Sequence, residues 1–382
     1  MRVVMVSAHY QLLDGRIFYR EAVSLARAGH EVAIVHWDRF HDGEIEHRRI
    51  GPILTTTLPI KIGTGRSLLA KAVKFREIRK RVAAAVVAER PEVVHCHDLE
   101  TLTIGIDVKK ALGVPLVFDA HEDYPAMVAM TNPVAARGFA LLESRAIRQV
   151  DHVITVNEIL REKYARRRPT TVVANYPEWE RFATPAPSRR ADLGLDGKLV
   201  ILYMGGLTTK RGLVELLTAL GRVPERSRFQ ALLVGRSLDS LDCVAEAKHR
   251  GLGDLVTVPG EVPFADVPSY LATGDIGYVV LNATKSNAQA TPVKLFEYMA
   301  AGLPVIANSD FAVPAEVVRK WRCGLLVPCD PPSIADALTR FAAEPELRRE
   351  MGERGREAVR REYNWESQAQ RLIATYASLG SR

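Results

Sequence analysis

Short runs of β-branched and other apolar residues alternate along the chain with stretches of helical length. In the first half we expect strands at residues 3–7, 31–36, 93–97, 116–120, 153–156 and 171–174. In the second half we expect them at residues 200–204, 230–234, 256–258, 276–280, 305–307 and 325–327. Helical patterns such as residues 17–28 and 68–88 lie between the strands. Because strands separated by helices form βαβ units, the alternation predicts an α/β fold with parallel sheets.

A polar stretch divides this alternation into two series. Residues 176–198 include Pro177, Pro185 and Pro187 without any sustained period, so we interpret them as a linker. The 382 residues suffice for two domains. We expect doubly wound, Rossmann-like domains over residues 1–175 and 199–363, with a helix over 364–382 crossing back to the first. Since parallel sheets bind ligands beyond the carboxyl ends of their strands, the two domains would share a cleft.

Charge and composition narrow the classes of function. The net charge of +7 suits a nucleic acid, an anionic membrane or a small anionic substrate as partner. Aromatic residues make up only 7% of the chain, which argues against nucleic acid because such surfaces need stacking side chains. No apolar run reaches the roughly 18 to 20 residues of a membrane span, and no signal peptide is visible. We therefore expect a cytoplasmic protein.

A basic helical stretch leaves a membrane partner open. Residues 66–81 carry several cations beside an apolar face, namely Lys71, Lys74, Arg76, Arg79, Lys80 and Arg81. Such a helix can bind anionic lipid at the inner face of a membrane, at about 1 kcal/mol per surface cation. The alternative is a surface helix whose apolar face packs on the sheet. Self-association also stays open.

The stretch QATPVKLFEYMAAGLPVIAN, residues 289–308, predicts a helix followed by a buried strand. Thr291 is expected to be the N-cap, Pro292 the first helical residue and Gly302 the stop. A helix N-terminus attracts anions because its first N–H groups are free and its dipole is positive there. Glu297 lies farther along, where a carboxylate can accept hydrogen bonds from the two hydroxyls of a ribose. The stretch therefore predicts a nucleotide site.

A second stretch, YMGGLTTKRGL at residues 203–213, follows a predicted strand. Gly205 and Gly206 would let the backbone approach a phosphate, while Lys210 and Arg211 add positive charge at the same end. Taken alone, the pattern also fits an ordinary tight turn between a strand and a helix.

Polar side chains of the first domain cluster where predicted strands end. Clusters of histidine and acid after neighbouring strands are harder to explain by structure alone than a lone histidine is. The residues concerned are His9, Asp14, Arg16, His95, Cys96, His97, Asp98, Asp119, His121, Glu122 and Asp123. The four cysteines form no CxxC pair, and no Asp-x-Asp occurs, so no metal site is expected. The Gly-x-Gly-x-x-Gly and P-loop motifs are absent too, which argues against a dinucleotide oxidoreductase or a P-loop NTPase.

Together these motifs resemble those of the retaining glycosyltransferases of family 4, whose fold is called GT-B. The resemblance spans nearly the whole chain, down to the YNWE of residues 363–366. It implies metal-independent transfer of a hexose-type sugar, with retention, from a nucleotide diphosphate sugar of UDP or GDP type to an unidentified acceptor. That sugar nucleotide is a co-substrate, and no other cofactor is expected. Carbohydrate or natural-product biosynthesis is the implied setting.

The resemblance also implies roles for individual residues. Glu297 matches the ribose-binding carboxylate, and Gln289 stands where the family usually has a second Glu against the donor sugar. Arg211 replaces the lysine on the diphosphate, Gly206 replaces a customary arginine, and His121 matches a histidine beside the donor sugar. Lys210 or Lys294 would offset the lost arginine. The donor-binding set is completed by Gly205, Thr291, Pro292 and Val293. The candidates on the acceptor side are His9, Asp14, Arg16, His97, Asp98 and Glu122. The catalytic candidates are His121, Gln289 and Arg211.

Two other functions fit the same fold. A nucleotide-sugar 2-epimerase would turn over its donor without any acceptor. A non-catalytic glycosyltransferase-like protein is suggested by Gln289 and Gly206, because each replaces a residue the family usually has. The group that takes the acceptor proton stays open, since the leaving phosphate can take it.

Overall fold

The computed structural model describes residues 1–8, 12–61, 68–282 and 291–380, with the backbone alone for residues 68–72. The chain divides into two compact units. The first comprises Met1–Asn175 with Glu366–Arg382, and the second comprises Tyr176–Trp365.

The first unit is built on a sheet that is parallel except at one edge. Its strands are β1 Arg2–Ala8, β2 Glu31–Asp38, β3 Glu46–Ile50, β4 Ile53–Pro59, β5 Val93–His97, β6 Leu116–Ala120, β7 His152–Thr155 and β8 Thr170–Val172. Their order is β3-β4-β2-β1-β5-β6-β7-β8, with β3 antiparallel to β4. The sequence analysis missed β3 and β4. The side chains of β3 are nearly all exposed and charged, so it lacks the apolar pattern that predicts a strand.

Helices cover this sheet and bury one apolar core. They are a π-helix at Gly15–Ala22 and the α-helices α1 Val23–Arg27, α2 Leu68–Ala88, α3 Asp98–Leu112, α4 Tyr124–Ala129, α5 Pro133–Ala146 and α6 Glu158–Ala165. A 3₁₀ turn at Ile147–Gln149 follows α5. Ile78, Val82 and Val86 of α2 are fully buried against the sheet. The apolar face of α2 is therefore used for packing.

The second unit has a parallel sheet with apolar cores on both faces. Its strands are β9 Leu199–Met204, β10 Phe229–Val234, β11 Val256–Gly260, β12 Ile276–Val279, β13 Val305–Asn308 and β14 Gly324–Val327, in the order β11-β10-β9-β12-β13-β14. The predicted α/β class with two parallel, Rossmann-like sheets is confirmed, and the strands expected in this half lie within two residues of those observed.

The helices of this unit begin before its first strand. They are α7 Glu180–Ala183, α8 Arg190–Leu193, α9 Leu213–Leu220, α10 Cys243–His249, α11 Val267–Leu271, α12 Val293–Ala300, α13 Ala312–Trp321, α14 Pro331–Ala343 and α15 Pro345–Arg361. Short 3₁₀ turns lie at Arg226–Arg228, Gly253–Leu255 and Phe264–Asp266. The stretch 176–198, interpreted above as a linker, is thus folded. Phe182 and Leu195 bury their side chains in the core of the second unit.

The last helix, α16 Trp365–Gly380, is anchored to the first unit from Glu366 onward. The backbone N–H of Ala174 donates to Gln368 Oε1 over 3.0 Å. Tyr376 is fully buried, and its hydroxyl lies 2.7 Å from Nδ1 of His95 in the middle of β5. This contact adds a polar group from the C-terminus to the sheet face discussed below.

Within the residues described, no helix combines the length and the apolar character that a bilayer crossing requires.

Substitutions at two glycines would test the packing of these units. A Cβ at Gly324 on β14 would lie 2.2 Å from the carbonyl oxygen of Val305 on β13, so Gly324→Ala should force the paired strands apart. We expect it to lower the free energy of unfolding of the second unit by roughly 2 kcal/mol or more. Gly138→Ala is the matched control, because no atom lies within 4 Å of its added Cβ on α5.

Gly138→Ala should stabilise the first unit by roughly 0.5–1 kcal/mol, since alanine favours the helix. Urea unfolding followed by circular dichroism measures both changes. Equal stability of the Gly324→Ala variant and the parent would contradict the close pairing of β13 with β14.

Candidate functional site

One face of the first sheet is polar near the carboxyl ends of its central strands. Val94 and Cys96 of β5 enter the apolar core. Because side chains alternate along a strand, His95 and His97 point to the other face. His97 pairs in register with Asp119 of the neighbouring strand β6. All three polar side chains are at most 1% exposed.

The guanidinium of Arg16 occupies the centre of this polar face. Its Nε and Nη2 each donate to one carboxylate oxygen of Asp119 over 3.0 Å, and Nη1 donates to the carbonyl oxygen of Val173 over 2.9 Å. Nη2 also lies 2.9 Å from Oε1 of Glu21. A bidentate pair of this kind is among the stronger hydrogen-bonded arrangements available to a protein.

The π-helix explains why Arg16 and Glu21 reach the same point. Its hydrogen bonds run from residue i to i+5, so its wider turn brings side chains five positions apart closer to one face than the turn of an α-helix does. In an α-helix they would diverge. Asp14 caps this helix, with its carboxylate accepting from the backbone N–H groups of Arg16 and Ile17. The π geometry thus delivers an arginine and a glutamate together to the buried histidines.

The buried charges alter the protonation of the carboxyl groups. Burial raises the pKa of Glu21 well above its usual value, against the opposing charge of Arg16. Asp119 is as deeply buried, but Arg16 and His121 hold its pKa well below the usual range. Asp119 is therefore the anion on which the surrounding cations converge.

His121 links this buried group to the surface. Its Nε2 lies 2.8 Å from Oδ2 of Asp119, and its Nδ1 lies 3.4 Å from Oδ2 of Asp98. Burial lowers the pKa of His121, but the carboxylates of Asp98 and Asp119 outweigh this effect and raise it to about 9. At neutral pH His121 is thus an imidazolium ion. It can donate hydrogen bonds but cannot accept a proton.

Asp98 is held in a strained conformation at the start of α3. Its φ of 63° lies in the left-handed region, which costs a residue with a Cβ on the order of 1–3 kcal/mol. In this position its Oδ1 accepts from the backbone N–H of His121 over 3.2 Å. The strain places a carboxylate against His121.

The structure places the acceptor-side candidates in different environments. Arg16 is 4% exposed and His97 1%, so both are internal supports in this structure and do not line an open surface. Asp14 uses its carboxylate as a helix cap. Asp98, His121 and the exposed Glu122 remain near the surface. His9 lies outside the described residues.

Sequence reasoning placed His95 in a cluster at a strand end, but it missed Glu21 and Tyr376 as members of this group. Glu21 gave one signal, because it falls among apolar residues of a helical segment and a glutamate is rarely buried without a partner. Nothing in the sequence indicated Tyr376, because it lies 281 positions from His95 in the chain.

The same group contains a candidate set of metal ligands. Among the described residues, Glu21, His95, His97 and Asp119 each offer a ligand atom, and these atoms lie within 4.8 Å of one another. Arg16 donates two hydrogen bonds to Asp119 and lies 2.9 Å from Glu21, so a metal ion would compete with the guanidinium for both carboxylates.

In the second unit, the end of β9 turns sharply through Gly205 and Gly206. Gly205 has a φ of 130°. The facing loop approaches so closely that a Cβ on Gly235 would lie 2.0 Å from the carbonyl oxygen of Gly205. The hydroxyl of Tyr203 donates to the carbonyl oxygen of Gly206 over 2.8 Å. Gly205 is exposed, whereas a Cβ on Gly206 would lie 2.3 Å from Cδ1 of Leu238.

Lys294 reaches back from α12 to this turn. Its ammonium lies 3.6 Å from the centre of the Tyr203 ring, and a Cβ on Gly205 would lie 3.1 Å from Nζ. Burial lowers the pKa of Lys294 well below its usual value, and Arg211 lowers it further by repulsion. The carboxylate of Glu297 offsets part of this lowering, although no carboxylate among the described residues forms an ion pair with Lys294. Two cations therefore lie near each other beside the turn.

The N-terminus of α12 differs from the expected cap. Pro292 is the N-cap in extended conformation and Val293 the first helical residue, so the prediction of Thr291 as N-cap is wrong. The hydroxyl of Thr291 is buried and has no hydrogen-bond partner in the described structure. A buried polar atom without a partner is costly, which favours a ligand that would satisfy it.

The remaining donor-side predictions can be located individually. Arg211 is half-buried and Lys210 exposed, both in the loop that follows the glycine turn. Glu297 lies half-buried on α12, one residue before the buried Tyr298. Tyr298 fixes this helix to β9, because its hydroxyl accepts from the backbone N–H of Met204 over 2.7 Å. Gln289 lies outside the described residues.

Comparison with known proteins places both units in one group. A family model described as Glycosyl transferases group 1 matches residues 187–358, and one described as Glycosyl transferase 4-like domain matches residues 15–177. Alpha-D-kanosaminyltransferase of Streptomyces kanamyceticus is 26% identical over 291 residues, which cover 72% of this chain and 73% of the relative.

Solved structures agree in fold. Sucrose-phosphate synthase of Thermosynechococcus elongatus superimposes with a TM-score of 0.77 at 21% identity, covering 100% of this chain and 99% of that one. Anabaena HepE in complex with UDP-glucose gives a TM-score of 0.72 at 16% identity, covering 99% of this chain and 100% of that one. At such identities the likeness concerns the fold alone.

The raised pKa of His121 predicts a pH dependence of stability. The folded state binds this proton more tightly than the unfolded state, whose histidine has a pKa of about 6.5. The stabilisation is therefore complete below that value and is lost as the pH rises through about 9. Its full size is roughly 3 kcal/mol.

Urea unfolding of the parent and of His121→Gln at pH 6 and pH 10 isolates this contribution. The parent should lose roughly 3 kcal/mol more than the variant over that interval. Parallel pH profiles of the two proteins would show that the carboxylates do not hold the His121 proton.

Proposed function

Because the chain belongs to the group 1 glycosyl transferases, we propose that it transfers a hexose from a UDP- or GDP-sugar to an acceptor hydroxyl. We further propose that the transfer retains the anomeric configuration and needs no metal. Family membership supports the general activity of a glycosyltransferase. The donor and the mechanism rest on the residues discussed next.

The observation that carries the proposal is the pair of cations beside the glycine turn. The pKa of Lys294 is lowered because its ammonium is buried and lies near Arg211. A diphosphate placed there would relieve both the desolvation and the repulsion, since each cation would gain a negatively charged hydrogen-bond partner. The site thus favours a ligand with two or more negative charges. Lys294 would also stand in for the arginine that is absent at Gly206.

The surrounding groups suit the rest of such a donor. Phosphate oxygens would approach the exposed backbone of Gly205, and the first N–H groups of α12 would donate to them. The partnerless hydroxyl of Thr291 supplies one further donor. Glu297, farther along α12, would accept hydrogen bonds from the ribose hydroxyls. Anabaena HepE, which shares this fold, binds UDP-glucose.

The proposed reaction exchanges one bond for another at the anomeric carbon. The bond to the diphosphate oxygen breaks, and its electron pair leaves with the diphosphate. The acceptor oxygen bonds to the same face of that carbon, and its proton passes to the departing phosphate oxygen. Arg211, Lys294 and the N-terminus of α12 would stabilise the charge that develops on the leaving group.

His121 would orient the donor sugar and would not act as the base. A histidine that is already protonated at neutral pH has no lone pair with which to accept the acceptor's proton. Its Nδ1–H, which lies 3.4 Å from Oδ2 of Asp98, would donate to a sugar hydroxyl. Arg16 and Asp119 would hold the imidazolium in place from below.

A nucleotide panel followed by an activity assay tests the proposal. Among UDP, GDP, ADP and TDP, the matching nucleotide should raise the free energy of unfolding by about 2.7 kcal/mol at 100 times its dissociation constant. The corresponding sugar nucleotide should then release that nucleotide in the presence of an acceptor. The rate should persist in excess EDTA because protein cations stabilise the leaving group.

Each other outcome contradicts a stated part of the proposal. Loss of activity in EDTA with rescue by manganese or magnesium would overturn metal independence. Donor turnover without any acceptor, giving the 2-epimer, would identify an isomerase. Nucleotide binding without turnover across donors and acceptors would identify a non-catalytic protein. Inversion at the anomeric carbon, measured by NMR of the product, would overturn retention.

Lys294→Met tests the cation pair directly. The substitution removes the ammonium but keeps an unbranched side chain over Tyr203. Affinity for the matching nucleoside diphosphate should fall about 10- to 100-fold, as expected when one charge-assisted hydrogen bond is lost. Affinity for the nucleoside, which has no phosphate, should not change. Titration calorimetry measures both.

Lys80→Met is the matched control, because Lys80 is an exposed lysine of α2 in the other unit. It should leave nucleotide affinity unchanged. If Lys294→Met and Lys80→Met bind the nucleoside diphosphate equally well, the diphosphate does not lie at Lys294.

A further inference from the structure

The helical hairpin α4–α5 of the first unit carries an unusual outer face. Several large apolar side chains there are between 40% and 79% exposed: Met127, Met130, Val134, Leu141 and Leu142. Single exposed apolar residues are common on protein surfaces, but several on one short hairpin form a patch. Such a patch usually marks a surface that meets a partner.

The hairpin is nevertheless firmly attached through its inner face. The rings of Tyr124 and Phe139 pack edge to face with centroids 5.1 Å apart, and Ala136 and Ala146 are buried. Glu143 is also turned inward, where it accepts from the hydroxyl of Tyr164 over 2.7 Å. The exposed apolar residues therefore belong to a well-packed element.

The acidic and the basic residues of the hairpin lie on different faces. Glu143 is the only carboxylate between Tyr124 and Arg148, and its side chain is 6% exposed. It lies 2.8 Å from the ammonium of Lys163. Arg137, Arg145 and Arg148 are exposed, and none of them forms an ion pair with the residues that the structure describes. The outer face thus combines apolar side chains with unpaired positive charge.

We propose that the outer face of the hairpin α4–α5 docks the protein on an anionic lipid bilayer. Methionine, valine and leucine side chains would enter the boundary between headgroups and acyl chains, and the three arginines would bind lipid phosphates. The mixture of apolar and cationic groups without an acid favours a bilayer, which offers both an apolar interior and a negative surface.

This surface replaces the one suggested by sequence. The apolar face of α2 is buried against the sheet, as Ile78, Val82 and Val86 show. Two of its cations are also engaged, because Lys74 pairs with Glu77 and Arg79 with Asp107. On α5 the opposite holds, since the apolar and cationic side chains face solvent together.

Sedimentation of the full chain with vesicles tests the proposal independently of any transferase activity. Vesicles of phosphatidylcholine with about 30% phosphatidylglycerol should bind the protein, vesicles of phosphatidylcholine alone should not, and salt should weaken the binding. Arg137→Gln with Arg145→Gln should weaken binding roughly 30-fold, from about 1 kcal/mol per cation. Val134→Ser with Leu141→Ser should weaken it at least tenfold, or roughly as expected for two apolar side chains withdrawn from lipid.

The matched control is Lys80→Gln with Arg81→Gln, which removes the same charge from the exposed side of α2. It should change binding by less than about twofold, and all variants should melt with the parent. Failure to sediment with anionic vesicles, or an equal loss in the α2 variant, would overturn the proposal. So would light scattering that shows a dimer dispersed by the α5 variants, because the patch would then cover a second copy of the chain.

Discussion

The bidentate pair between Arg16 and Asp119 is the interaction on which the first unit's polar face depends. Burying a lone carboxylate beside the core would cost several kcal/mol, and removing one partner of such a pair typically costs 3–5 kcal/mol. With the pair in place, Asp119 stays ionised and can hold His121 by a 2.8 Å contact. The imidazolium and its orientation follow from that anion. The buried arginine thereby sets the protonation state of a histidine near the surface.

The second unit uses electrostatics in the opposite sense. The first unit pairs its buried Asp119 with Arg16, whereas Lys294 lies near Arg211 and forms no ion pair with a carboxylate among the described residues. Positive charge buried in this way costs free energy in the absence of a ligand. In the proposed function an anionic ligand would offset that cost, and the two cations would stabilise charge that develops on the leaving group. The first unit would then position His121, and the second would bind the diphosphate.

Helices α2 and α5 show that the same sequence pattern can either pack against the sheet or face solvent. Cations beside apolar residues occur on both α2 and α5. Packing on the sheet consumes the apolar face of α2, and neighbouring acids engage part of its charge. On α5, Phe139 packs against Tyr124 of α4, and Glu143 accepts a hydrogen bond from Tyr164. The apolar side chains around Leu141 are therefore left exposed. Sequence periodicity alone does not show which apolar face packs on the sheet and which faces solvent.

The sequence by itself determined the two α/β units, nearly all of their strands and the family, because period, glycine turns and the motif around Glu297 are local patterns. It also placed His121 and Asp98 at strand ends. It could not reveal the π-helix, which brings Arg16 and Glu21 together five positions apart, or the cap at Pro292 in place of Thr291. Nor could it assign Tyr376 to His95. These features depend on contacts between distant segments, and only the tertiary structure decides which buried polar groups meet.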